Sequence, residues 1–145
     1  MGFQFAETMA GTIEWQDEPG TRHPFRMDLT AIAESTREYI HTRQATLHGV
    51  VHAAPRAGAS DCEGVITIRP IGERIIRYEL AFTGDDGTPY ELVGQKDISF
   101  LRPVYTFTHL PAEVRDDSGR VVATCNTTFD ARHDLWSFLR SFKPA

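Results

Sequence analysis

Apolar and polar residues alternate along most of this chain. The odd positions at the start read Phe3, Phe5, Glu7, Met9, Gly11, Ile13 and Trp15, against Gln4, Ala6, Thr8, Ala10, Thr12 and Glu14. A period of two puts one face of a strand on a core and the other in water. After a turn at Asp17 to Gly20, Phe25, Met27, Leu29, Ala31 and Ala33 share the next face. A short segment around Tyr39 and Ile40 leads to a strand with Leu47, Gly49, Val51 and Ala53 inward and Thr46, His48 and His52 outward. Residues 55–61 read as a flexible loop. A meander follows. Strand 62–69 turns at 70–73 into one with Ile76, Tyr78, Leu80 and Phe82 on a single face. Gly84 to Gly87 is a hairpin signal. Tyr90, Leu92, Gly94, Lys96, Ile98 and Phe100 make the next face, and Arg102-Pro103 breaks it. Strands 105–114 and 120–129 flank a turn at 116–119. The period then changes: Leu135, Phe138, Leu139 and Phe142 follow the spacing of an amphipathic helix, expected over 131–143 with Asp130 as its N-cap.

Gly11, Gly49, Gly64 and Gly94 sit inside these alternating patterns. A glycine within a strand weakens it and marks a bulge or a sharp bend, and such kinks let a sheet curl into a barrel. Eight or nine strands joined by turns, with no helices between them, exclude a parallel α/β sheet. The expected fold is all-β: an antiparallel up-and-down barrel of the lipocalin or calycin kind, with one C-terminal helix, as a single domain over 1–145.

At 145 residues the chain can bury a core without staples. Its net charge of -5, with arginines scattered among acids, speaks against nucleic-acid binding. It has no apolar run of about 18 residues, so no membrane span is expected. The first residues lack the basic and apolar regions of a signal peptide, and residue 6 is Ala where myristoylation would need Ser or Thr. A cytoplasmic protein is expected, with Cys62 and Cys125 as two buried, reduced thiols.

Two charges fall on inward faces: Glu7 between Phe5 and Met9, and Lys96 between Gly94 and Ile98. An isolated buried charge costs several kcal/mol, of order 5, unless it is paired. The simplest remedy is that they meet each other or other interior polar groups. They could then orient a polar ligand head or carry out acid–base chemistry. They could also form an ion pair at the rim, or reach solvent if the register slips at a glycine. His109 is expected on an inward face with Tyr105 and Phe107. Glu7, Lys96, Tyr105 and His109 are the candidates for proton transfer. Met9, Trp15, Phe25, Tyr78, Tyr90, Tyr105 and Phe107, with Glu7 and Lys96, are the candidates for lining a pocket. The same aromatics could equally fill the barrel. His48 and His52 stand about 13 Å apart on an extended strand, too far to share a metal. No metal site is expected, and no cofactor: the nucleotide-binding glycine loops and a nucleophile elbow are absent.

Four segments carry a resemblance: Phe5 to Gly11, Arg74 to Phe82, Gly87 to Asp97, and the closing Phe138 to Phe142. Together they resemble an accessory domain attached to bacterial glucose–methanol–choline-type oxidoreductases of the cholesterol-oxidase-like group. The resemblance implies a domain working near lipid- or sterol-like substrates, and in it Glu7 and Lys96 fall at matching positions. It imports no reaction, since the flavin-binding glycine motif is missing. Three functions follow as expectations: binding of a hydrophobic lipid-, sterol- or polyketide-like molecule in the barrel, cofactor-independent cyclisation or isomerisation of an apolar substrate there, or docking onto an oxidoreductase. An exposed edge strand could also pair two barrels into a homodimer.

Overall fold

A computed structural model of the chain describes residues 2–69, 72–99, 101, 106, 108–129 and 143–144. The strands are β1 (Phe3–Trp15), β2 (Arg22–Ala33), β3 (Gln44–Ala53), β4 (Ala57–Arg69), β5 (Ile75–Thr83), β6 (Pro89–Asp97), β7 (His109–Arg115), β8 (Val121–Thr128) and the two-residue β9 (Lys143–Pro144). One short helix, α1 (Thr36–Thr42), joins β2 to β3. Every strand from β1 to β8 is antiparallel to its sequence neighbour, and β8 returns to pair with β1, so eight strands close a barrel in simple meander order. β9 adds a second short pairing, at Phe3 and Gln4.

Closure demands tight coiling, and the glycines supply it. A Cβ on Gly49 would run into the carbonyl oxygen of Asp28 on β2, and one on Gly64 into that of Glu79 on β5. Neighbouring backbones therefore approach where no side chain fits. The inward faces form one core, from Phe5, Met9, Ile13 and Trp15 on β1 to Leu110, Ala112 and Val114 on β7 and Ala123 and Cys125 on β8.

The two ends differ. At the Trp15 end the connections are short: 16–21, 54–56, 84–88 and 116–120. Beneath them Trp15, Phe25, Phe82 and Tyr90 are all buried. The Trp15 and Tyr90 rings lie 5.6 Å apart, and Phe82 and Tyr90 5.4 Å. The Trp15 indole N–H donates to Ala54 O at 2.9 Å, and the Arg56 guanidinium covers the ring at 4.2 Å while pairing with Asp17. This end is sealed. At the other end the connections 34–43 and 98–108 are longer. Here β2 and β3 turn the small side chains of Ala31, Ala33 and Ala45 inward. Phe5, Ile76 and Ile98 are buried at the same end.

Several expectations are corrected. Residues 57–61 belong to β4, paired with Val50, Val51 and Ala53 across a bulge, rather than to a loop. Thr106 and Thr108 are helical, so the strand expected from Tyr105 begins at His109. The segment at Tyr39 is α1, whose cap is readable in hindsight: Ser35 and Glu38 have capping-box spacing, and Glu38 N–H donates to Ser35 Oγ at 3.2 Å. Lys143–Pro144 is a strand pairing; the rest of the expected C-terminal helix, with Asp130, Leu135, Phe138, Leu139 and Phe142, lies outside the described residues, as do Phe100, Tyr105 and Phe107.

Two outcomes test this packing. Gly49→Ala should cost roughly 2–4 kcal/mol in chemical denaturation, because backbone must move. Gly20→Ala, at a positive φ but with open space around it, should cost only about 1 kcal/mol; equal costs would contradict the close approach. The second concerns the thiols. Cys62 and Cys125 are both free and buried, and burial pushes them up to about 11 and about 12. Native protein should react with a disulfide reagent at pH 8 at least ~100-fold more slowly than protein unfolded in urea, and a fast native thiol would place one of them at the surface.

Candidate functional site

Glu7 and Lys96 both stand on the inward face, and a third residue joins them. Glu7 lies midway along β1, directly opposite Leu29 of β2. Tyr78 lies on β5, across the lumen. Its phenol O–H donates to Glu7 Oε1, tying two walls that are four strands apart. Lys96 of β6 donates from Nζ to the same phenol oxygen at 3.1 Å, and its ammonium sits 5.3 Å from the ring centre.

Local register explains why the three converge. Tyr78 pairs with Gly94, and Ile76 pairs with Lys96, so Tyr78 and Lys96 are diagonal neighbours on one face. Gly94 leaves the space opposite the Tyr78 ring without a side chain. A Cβ there would also come within 3.0 Å of Leu110 and Ala112 side-chain carbons, so β7 can pack close. Glu7 sits in the stretch of β1 between its pairing with β9 at Phe3–Gln4 and its pairing with β8 from Ala10 onward.

Tyr78 is 1% exposed and Lys96 5%, whereas Glu7 is only partly buried. Water therefore reaches the carboxylate end of the chain. Burial, the neighbouring Glu7 charge and the hydrogen bond to it all hold the Tyr78 phenol well above its ordinary value, so it stays protonated. Burial pulls the Lys96 ammonium below its ordinary value, and Glu7 partly offsets this. Tyr78 spends its only proton on Glu7 and accepts from Lys96. Among the described residues, Lys96 keeps two N–H donors and Glu7 keeps Oε2 with no other partner. The arrangement can hold a polar group from both sides, or pass a proton from Lys96 through Tyr78 to Glu7.

The other candidates fall apart in space. Met9 is fully buried one step above Glu7. Trp15, Phe25 and Tyr90 belong to the sealed end; Trp15 lies about 25 Å along β1 from Glu7 at ~3.3 Å per residue. His109 is not inward. Leu110, Ala112 and Val114 take the inner face of β7, so His109 shares the outer one with Pro111 and Glu113, and its Nδ1 meets Thr108 Oγ1 at 3.1 Å. The helical residues before β7 shift the alternation by one. Tyr78 was legible as a pocket aromatic; its role as the link was not, because it is 71 residues from Glu7.

Outside the lumen two shallow clefts open. One, of about 330 Å³, runs beside α1 past Glu34, Glu38 and Tyr39. The other, of about 410 Å³, lies on the outer wall between Ala10, Arg26, His52 and Pro55. Among the described residues no group of three or more His, Cys, Asp and Glu side chains could hold a metal ion, and no helix is long and apolar enough to cross a membrane. No known protein family matches the chain, and neither a curated protein nor a solved structure is detectably similar to it; nothing in these comparisons links it to the oxidoreductase-associated domain.

The depressed Lys96 ammonium makes stability depend on pH. Between its folded value and the ordinary 10.5 the unfolded chain holds more protons, so this group's contribution to stability rises with pH across that window. Relative to wild type, Lys96→Met should therefore lose ground in Tm as pH rises from about 7 to about 10. A constant difference would mean that Lys96 titrates like an exposed lysine.

Proposed function

We propose that the barrel binds an apolar small molecule, lipid-, sterol- or polyketide-like, with its polar end at Glu7, Tyr78 and Lys96. In this reading it is a lipocalin-like binder that takes its ligand through the end bearing α1. The observation that carries it is the hydrogen-bond chain across the lumen. Three polar groups converge inside a mostly apolar barrel; among the described residues they leave donors and an acceptor over, and Glu7 is only partly buried. Apolar walls with a few convergent polar anchors are the general form of a small-molecule site.

The chain also favours a second reading, a cofactor-independent isomerase or cyclase. The phenol between an amine and a carboxylate is placed to relay a proton. That reading needs turnover, which simple binding does not.

Native mass spectrometry of gently purified protein, with its denatured extract analysed alongside, should find a retained lipid-like mass or, in the apo protein, uptake of a single decan-1-ol. Glu7→Gln and Lys96→Met should each weaken decan-1-ol binding about ten-fold, or ~1.4 kcal/mol, with circular dichroism unchanged. Unchanged binding in both variants would remove the chain from the site. A folded protein that takes up neither would end the proposal.

A further inference from the structure

The cationic residues of this chain are strongly biased. Of its 15 lysines and arginines, only Lys96 and Lys143 are lysines. Arginine serves the ion pairs of the outer wall, as in Arg26–Asp28, Arg77–Glu79 and Arg115–Glu113. The position that points into the lumen carries a primary amine instead. A guanidinium would bind an anion there more firmly, by a planar fork that cannot lose its proton. What the amine adds is a nucleophilic lone pair.

We infer that Lys96 captures a carbonyl ligand, an apolar aldehyde or ketone, as a reversible imine inside the barrel. This rests on the binding reading above and names the ligand's polar group. The geometry provides each part of the reaction. Lys96 Nζ lies within the apolar lumen, 5% exposed, at hydrogen-bond distance from Tyr78 Oη. Tyr78 Oη in turn touches the Glu7 carboxylate, which water reaches. The Nζ lone pair attacks the carbonyl carbon, and the C=O π electrons move to oxygen. One amine proton passes to Tyr78, whose own proton moves to Glu7. Returned to the oxygen, it completes a neutral carbinolamine. The nitrogen lone pair then expels the hydroxyl group, which takes the second amine proton and leaves as water. Carbonyl and amine become imine and water, with no oxidant or reductant. Burial favours the neutral amine that the first step needs.

The test treats the protein with decanal and sodium cyanoborohydride, then maps the decyl group by peptide mass spectrometry. Lys143 is the internal control. The expected result is modification of Lys96 at least about ten-fold faster than of Lys143, with no interior adduct in Lys96→Arg. Binding of decan-1-ol, which cannot form an imine, is measured in parallel on wild type. If decan-1-ol binds but Lys96 gains no preference over Lys143 or the N-terminus, the imine is overturned and the binding reading stands. If neither decan-1-ol nor decanal engages the lumen, both fall together. The wild-type comparison decides the matter even where Lys96→Arg fails to fold.

Discussion

A protonated phenol held between a carboxylate and an amine ties this barrel across its middle. Tyr78 reaches from β5 to Glu7 on β1, the strand that closes the barrel, and accepts from Lys96 on β6. Each of these groups alone would be costly in an apolar lumen. Together they satisfy one another, and the cost of burying Lys96 becomes tolerable. The same contacts orient three chemically different groups toward one point.

The wall around that point is built differently at its two ends. Short connections and the tilted, contacting rings of Trp15, Tyr90 and Phe82 stopper one end, with Arg56 capping Trp15 from outside. Six carboxylates, Asp17, Glu18, Asp85, Asp86, Asp116 and Asp117, gather in the turns of that sealed end. The opposite end bears α1, attached by the edge-on contact of Tyr39 with Phe3 at 5.0 Å. Ala31, Ala33 and Ala45 turn inward beside it, and Phe5 is buried opposite Ala31. Tight coiling makes the closure feasible, and the glycines at the crossings permit the coiling.

Much of this was legible in the sequence, because a strand's period of two survives without knowledge of its partners. The faces of β1, β2, β5 and β6 follow from it, and with them the inward positions of Glu7 and Lys96. What failed was local and had physical causes. A helical turn at Thr106 and Thr108 resets the alternation and moves His109 to the outer wall. The small residues Ala57, Gly58, Ala59 and Ser60, followed by Asp61, hide a strand that continues through a bulge. α1 is too short to show an apolar stripe, and only its cap announces it. Tyr78 illustrates a deeper limit. Its contact with Glu7 depends on how far the strands shear as the barrel closes, which no pattern within a single strand encodes.

With only two lysines in the chain, lysine side-chain NMR offers the most direct measurement of the central claim, that the Glu7–Tyr78–Lys96 chain is the polar end of an apolar binding site. The account predicts that the Lys96 Nζ and Cε resonances are displaced from free-lysine positions in the apo protein. They should shift again on addition of decan-1-ol, while those of Lys143 stay unchanged by it. A Lys96 signal indistinguishable from free lysine, or one that ignores a ligand shown by other resonances to have entered the barrel, would contradict it.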